Sequence, residues 1–323
     1  MYNKKPPFEI TNAILDEIAE IAELVGQVNA TSGLSTNPML RRTNRIRTIH
    51  ASLAIEQNTL TLEQVTAILN GKRVIGPPKD IAEAKNAYEI YEMMDQLDPY
   101  SVDDLLNAHA VMTRGLVEES GCFRSGPVGV VDKKGNILHF GTLPDNVPGN
   151  TMELLDWVRD SDYHMLIKSC VFHYEFEFIH PFADGNGRIG RLWQSLILGK
   201  LNPLFEHLPV ENMVYANQQA YYDAITQSSA KGDSQPFIDF MLQEILNALE
   251  DHKGQTVDEI GEANSLSENE IKILGLIRSD RHMSAKRFAE EIGASPRQVE
   301  RILAGMKDRA IIRRVGANRN GYW

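Results

Sequence analysis

Cysteine is nearly absent: Cys122 and Cys170 are the only two in 323 residues. They show no metal-ligand spacing, and two cysteines in so long a chain exclude a disulfide framework, so both read as free thiols. Missing too is any uninterrupted apolar run of membrane-spanning length, and the start, Met-Tyr-Asn-Lys-Lys-Pro-Pro, has no apolar stretch after its charges. Neither a leader peptide nor a membrane partner is expected, and a cytoplasmic location is the default. What is present is ordinary globular composition, 42% hydrophobic and 24% charged, with length for a large core in two or three domains. The net charge of −11 is unevenly divided. Residues 265–323 carry twelve Lys and Arg against seven Asp and Glu, a net +5 that leaves −16 on the rest. An acidic body with a basic end implies different partners for each.

Residues 165–179 contain neither Gly nor Pro and are apolar almost all round, which predicts a buried helix closed by His180. Pro181 follows where proline is common, and Gly185-Asn186-Gly187 supplies residues able to adopt positive φ, so a tight backbone-exposing loop is expected. Beyond it Ile189, Leu192, Trp193, Leu196 and Ile197 recur at helical spacing, while Arg188, Arg191 and Ser195 share another face. The loop thus feeds a helix N-terminus whose free N–H groups suit an anion. Asn186 and the glycine backbone can cradle a phosphate, and Arg188 and Arg191 can reach outer phosphate oxygens. Asp184 is a hard oxygen ligand fit for Mg²⁺ bridging a nucleotide's phosphates. His180, at the mouth, can take a proton from an attacking hydroxyl. The assembly outlines a phosphoryl- or nucleotidyl-transfer site.

The same stretch resembles the Fic family signature, H-x-F-x-[DE]-G-N-G-R-x-x-R, with His180, Phe182, Asp184, Gly185, Asn186, Gly187, Arg188 and Arg191 at every specified position. At roughly 5% per residue, chance agreement at one start is on the order of 10⁻¹⁰. The resemblance spans about residues 40–250 and implies a mainly α fold that moves AMP from ATP onto a protein hydroxyl. In it His180 is the general base and Asp184 the Mg²⁺ ligand. Gly185, Asn186 and Gly187 hold the α and β phosphates, Arg188 the β and Arg191 the γ phosphate. Phe182 anchors the loop in the core. Doc-type relatives that phosphorylate have lysine at the position of Gly187, so the resemblance sides with AMP transfer.

Ser52-Leu-Ala-Ile-Glu56-Gln57-Asn58 closes a helix expected over about 39–56, with Ser52 and Glu56 on one face. It resembles the family's inhibitory motif, [ST]-x-x-x-E-[GN], in the form that precedes the core, and implies that Glu56 pairs with Arg191 and blocks the γ-phosphate. Gln57 departs from the usual Gly or Asn. Some relatives use this glutamate to align water for removing AMP.

The remaining chain divides into an N-terminal helical region (1–110) containing that helix, a catalytic core (111–250), a polar stretch (251–264) that is a linker or boundary, and a basic unit (265–323). In the first, helices are expected to about residue 30, from a Thr61–Gln64 capping box to about 70, over 81–97, and from Ser101 to 111. Glu83 and Asn86 match a polar spot common in Fic proteins, or else a solvated face. Residues 127–142 read as a short β-hairpin, which in Fic relatives is a flap that aligns an extended target by strand-like pairing. His139 on it is a flap surface residue. A helix is expected around Leu154 and Val158, and two more over 212–229 and 234–249. Tyr221 and Tyr222 read as core.

The last unit looks like a winged helix, with a recognition helix bearing Arg297, Gln298 and Arg301 and a wing bearing Arg313, Arg314 and Arg319. Such a unit binds DNA over 284–323 or docks protein. The expected partners are ATP and a protein hydroxyl on flap 127–142. Since the flap can accept a neighbouring chain, self-modification and a homo-oligomer are compatible with this reading. Two other readings keep the residues but change the role: a DNA-binding regulator that senses nucleotide, and a transferase using phosphocholine or another nucleotide as donor.

Overall fold

The structure, a computed structural model, describes residues 6–31, 37–131, 137–253, 268–279, 281, 283–308 and 312. Contacts group the chain into two compact units, Met1–Gly254 and Gln255–Trp323.

The first unit is built around α7 (Met165–Ile179), whose residues are buried on nearly every side. An apolar helix of this kind stays in water only if other helices cover it. Here α6 (Val147–Asp160), α8 (Asn186–Leu201) and α11 (Gln235–Lys253) pack against it, and α1 (Asn12–Thr31) packs on α11. Ahead of them run α2 (Pro38–Ile55), α3 (Leu62–Leu69), α4 (Pro78–Glu92) and α5 (Val102–Met112). Residues on both sides of position 110 feed one apolar core, Ile49, Leu53 and Leu105 with Phe172, Phe176 and Trp193.

The helix starts follow their side chains. Asn37 accepts from Met39 N and Leu40 N ahead of Pro38, Thr61 and Gln64 form a reciprocal capping box, and Ser101 accepts from Asp104 N. Two expected helices differ. The one anticipated over 81–97 ends at Glu92, and a single 3₁₀ turn, Met94–Gln96, completes it. The one anticipated over 212–229 is two, α9 (Val210–Ala216) and α10 (Gln218–Lys231), because the chain leaves helical geometry at Asn217. The last helix, α11, runs on through Lys253 into the stretch expected to be a linker, whose remainder lies outside the described residues.

Between α5 and α6, β1 (Gly129–Val131) pairs antiparallel with β2 (Ile137–Phe140), Gly129 opposite Phe140 and Val130 opposite His139. The turn 132–136 and the side chain of His139 lie outside the described residues.

In the second unit α12 (Glu268–Ser279), α13 (Ala285–Ile292) and α14 (Pro296–Asp308) enclose Ile273, Phe288, Val299, Leu303 and Met306. Ser284 caps α13 and Gly293, in the left-handed region, ends it. Arg313, Arg314 and Arg319 of the expected wing lie outside the described residues.

Candidate active site

The site forms where α7 stops. Ile179 is the last helical residue, and His180 turns the chain with φ +52°, a left-handed conformation uncommon for a side chain of this size. Neighbours hold it there. Phe182 is wholly buried, and its backbone is gripped by one side chain: Asn186 Oδ1 accepts from Phe182 N and Nδ2 donates to Phe182 O, both at 2.8 Å. His109 stacks flat on the Phe182 ring, centroids 3.7 Å apart. The Gly121 N–H donates to His109 Nδ1, so Nε2 carries the hydrogen and donates to the Asp184 carbonyl at 2.9 Å. Burial lowers the pKa of His109 and keeps that ring neutral. Gly185, at φ +89°, then opens α8.

Arg124 fixes the other side of the loop. This buried side chain donates from Nε to His180 O at 2.7 Å, from Nη1 to Gly126 O at 2.7 Å, and from Nη2 to Thr142 O and Ile179 O. One guanidinium thus joins the base to both ends of the hairpin segment. His180 Nδ1 lies 3.3 Å from the Glu177 carbonyl. A carbonyl only accepts, so Nδ1 is the donor and Nε2 of the neutral ring keeps the lone pair that a base needs.

At the start of α8 a carboxylate from α2 meets a buried guanidinium. Glu56, the C-cap of α2, reaches Arg191 Nη2 with Oε1 at 2.7 Å, while Ser52 receives Arg191 Nε on Oγ and Nη2 on its carbonyl, each at 3.0 Å. Arg191 is buried, whereas Glu56 is partly exposed. Burial works against the charge of Arg191, but Glu56, with Tyr221 and Glu177 acting in the same direction, outweighs it, so the guanidinium is held above its ordinary pKa. A Cβ at Gly187 would collide with Glu56 Oε1, so this backbone position admits only glycine while Glu56 is seated.

Arg188 is held at two ends. Nη1 meets Glu83 Oε1 at 3.2 Å and Nη2 meets Asp184 Oδ1 at 3.0 Å. The other oxygen of Glu83 accepts from Asn58 Nδ2 at 2.8 Å, two residues past Glu56. Glu83 and Asn86 are therefore buried and bonded, Asn86 to the carbonyls of Met112 and Arg114, and the solvated-face alternative does not hold. Asp184 remains half exposed with Oδ1 engaged by Arg188. A single open carboxylate suits a Mg²⁺ that arrives with phosphates and keeps several waters. Among the described residues no group of three His, Cys, Asp or Glu side chains is placed to hold a metal ion.

The structure brings together, around one loop, His180, Asp184, Gly185, Asn186, Gly187, Arg188, Arg191, Ser52 and Glu56. The Asn186 side chain is spent on the loop itself, leaving its backbone to face an anion. Arg124, His109, Glu83, Asn58 and Glu177 were not assigned roles from the sequence. For Glu83 the signal was the polar spot on α4; the others carry none in periodicity or motif. Tyr221 is core, tilted against His173 and edge-on to Phe237.

Fold and site together define a class of helical protein organised on one loop between two buried helices, with a histidine at its mouth and two buried arginines on the helix that follows. Comparison with known families matches the Fic/DOC family over residues 99–198. A crystal structure of a Fic family protein from Desulfovibrio desulfuricans G20 shares 40% identity and a TM-score of 0.76 over 99% of this chain and 98% of that one. The chain belongs to the Fic family. Protein adenylyltransferase Fic of Nematostella vectensis is 28% identical over 247 residues, 72% of this chain and 54% of its own length. Protein adenylyltransferase fic-1 of Caenorhabditis elegans is 30% identical over 216 residues, 63% of this chain and 40% of its own. The chain spans about half the length of the curated relatives it matches.

Proposed function

We propose that the protein is an autoinhibited protein adenylyltransferase, moving AMP from ATP to a Ser, Thr or Tyr hydroxyl. The observation that carries this reading is the pairing, in one loop, of a histidine whose Nδ1 donates to the Glu177 carbonyl with a helix start bearing Arg188 and Arg191. The names of the relatives agree with it. In this reading the hydroxyl oxygen attacks the α-phosphorus, the bond to pyrophosphate breaks, and the proton passes to His180 Nε2. The α8 backbone from Gly185 to Gly187 receives the phosphates, with Arg188 on the β and Arg191 on the γ phosphate. Asp184 would hold Mg²⁺, which neutralises phosphate charge when bound. The target lies along the edge of the β1–β2 flap, where backbone pairing accepts an extended segment, including one from a second copy of this chain.

Glu56 is the brake, since its carboxylate takes the side of Arg191 that a γ-phosphate needs. A charge-assisted pair nets about 1.5–3 kcal/mol, which suppresses competent ATP binding by roughly 10- to 150-fold. The same carboxylate can align water for AMP removal. The second unit is proposed as a winged helix. Arg297, Gln298 and Arg301 are exposed on α14 while Val299 and Leu303 face inward, an arrangement suited to duplex DNA.

The test is transfer from ATP labelled on the α-phosphate, with γ-label as control and cell extract as target. Label on protein from α alone, raised at least tenfold by Glu56→Gly and abolished by His180→Ala, is expected. No transfer from either label in any variant overturns the reading. In that event salt-dependent retention on duplex DNA would favour the nucleotide-sensing regulator, and transfer from another donor the third class.

A further inference from the structure

Glu177 lies outside the twelve-residue loop, one turn before His180 on α7, and the mechanism above uses only its backbone. Its side chain is 11% exposed and its Oε2 stands 3.8 Å from His180 Nδ1. Its Oε1 is buried and makes no hydrogen bond among the described residues. A Cβ at Gly190 would stand 3.2 Å from that oxygen, so the glycine brings α8 against the Glu177 carboxyl. The charged and titratable groups around it come from every packed element: Glu56 from the end of α2, Arg191 from α8, Tyr221 and Tyr222 from α10, and His180 beside it. A buried carboxyl with one oxygen toward the base and the brake's own ion pair nearby has no packing reason to be acidic.

We propose that Glu177 is a positioning residue for His180 and that the brake controls it: the carboxyl is neutral while Glu56 sits on Arg191, and becomes the counter-ion of the His180 ring when Glu56 leaves. Burial pushes the Glu177 carboxyl up to about 8, the Glu56 carboxylate adds to the rise, and Arg191 opposes it. With Glu56 gone, one cause of the rise disappears and the full charge of Arg191 acts on Glu177, so the carboxyl ionises more readily. When His180 takes a proton at Nε2, its Nδ1–H then faces a carboxylate, which stabilises the imidazolium as a third group does in other base-and-orienter pairs. No atom of Glu177 joins the covalent step. Release of the brake would thus open the phosphate seat and strengthen the base together.

The test has two arms, and only the kinetic one rests on the transferase reading. In the first, the pKa of His180 is followed by NMR, its signal assigned by loss in His180→Ala, in the wild type, Glu177→Gln, Glu56→Gly and the double variant. Glu177→Gln is expected to lower the His180 pKa by about one pH unit in the Glu56→Gly background and far less in the wild type. No change in the Glu56→Gly background, or the same change in both, overturns the proposal whether or not the protein transfers AMP. In the second arm, the double variant is expected to show kcat about tenfold below Glu56→Gly, with KM for ATP unchanged and the acid limb of its pH profile moved to lower pH. Equal kcat and an unmoved limb also overturn it. Absence of transfer in Glu56→Gly itself counts against the transferase reading and leaves the NMR arm to decide Glu177. If glutamine disturbs the fold, judged by thermal melting, Glu177→Met keeps the volume and repeats both arms.

Discussion

Gln57 shows how much one residue can hide. The Asn58 N–H bonds Leu53 O at 3.1 Å and the Gln57 N–H bonds Ala54 O at 3.0 Å, the two bonds that close a helix by a left-handed residue. Gln57 is that residue, at φ +68°. The family's usual Gly or Asn adopts this conformation cheaply, whereas a longer side chain strains it by about 1 kcal/mol. The departure from the motif therefore leaves the turn intact and places its cost in stability. Gln57→Gly is expected to stabilise the fold by about 1 kcal/mol and to leave basal AMP transfer no higher, because Glu56 keeps its seat. Thermal melting and the labelled-ATP assay check it; a lower melting temperature would show that the Gln57 side chain makes contacts worth more than the strain. The identity of Gln57 was plain in the sequence, but its φ was not, since φ there is set by where α2 must end for Glu56 to reach Arg191. Arg124 was unreadable for a related reason: its four carbonyl partners come from Gly126, Thr142, Ile179 and His180, and nothing in local spacing announces them.

Among elements, the unexpected link is the chain of contacts from α2 through α4 to α8. Asn58, two residues past Glu56, holds Glu83, Glu83 holds Arg188, and Arg188 holds Asp184. A buried guanidinium needs its counter-charges, and Arg188 Nε already makes no hydrogen bond among the described residues. Glu83→Gln is expected to destabilise the fold by about 2–3 kcal/mol and, in a Glu56→Gly background, to raise KM for ATP more than it lowers kcat. Chemical denaturation and steady-state kinetics measure the two effects; unchanged stability with unchanged KM would mean that Arg188 is positioned by Asp184 alone. This scale also divides what was legible from what was not. The helices flanking the loop were readable because their apolar periodicity is unbroken: 165–179 is apolar nearly all round, and Ile189, Leu192, Trp193 and Leu196 mark the buried face of α8. The break at Asn217 was not, because Asn212 to Ser229 contains neither Gly nor Pro; there α9, which packs on α2 as well as α11, gives way to α10, which packs on α11. That Glu83 faces inward was likewise undecidable, since a carboxylate on a helix is ordinarily solvated and only Arg188, 105 residues away in sequence, makes its burial affordable.

Across the whole first unit, buried titratable groups govern how stability varies with pH. Burial pushes Glu177 up to about 8, with Glu56 adding to it, and pushes Glu211 up to about 7, against hydrogen bonds that include one from Ser195. Burial also pushes His173, bonded to Gln194 at 2.6 Å and Tyr221 at 3.1 Å, down to about 3. The signs differ. A carboxyl whose folded value is raised stabilises in its protonated form, so its contribution is complete below the ordinary 4.5 and is lost as pH rises through 7 and 8. The neutral ring of His173 contributes above its ordinary 6.5 and is lost as pH falls toward 3, and the other buried histidines act in the same direction. The two slopes oppose each other between 4.5 and 6.5. Above 6.5 these buried histidines are neutral folded and unfolded alike, and the raised carboxyls set the trend. The melting temperature is therefore expected to fall between about pH 6.5 and 8.5. Glu177→Gln and Glu211→Gln should each flatten that fall, and together nearly remove it, because both replace a group that must ionise in the unfolded chain by one that never does. Calorimetry of the wild type and the three variants across this range is the measurement. A wild-type melting temperature that holds steady over that range, or a fall of the same size in the double variant, would mean that neither carboxyl is held neutral in the folded protein.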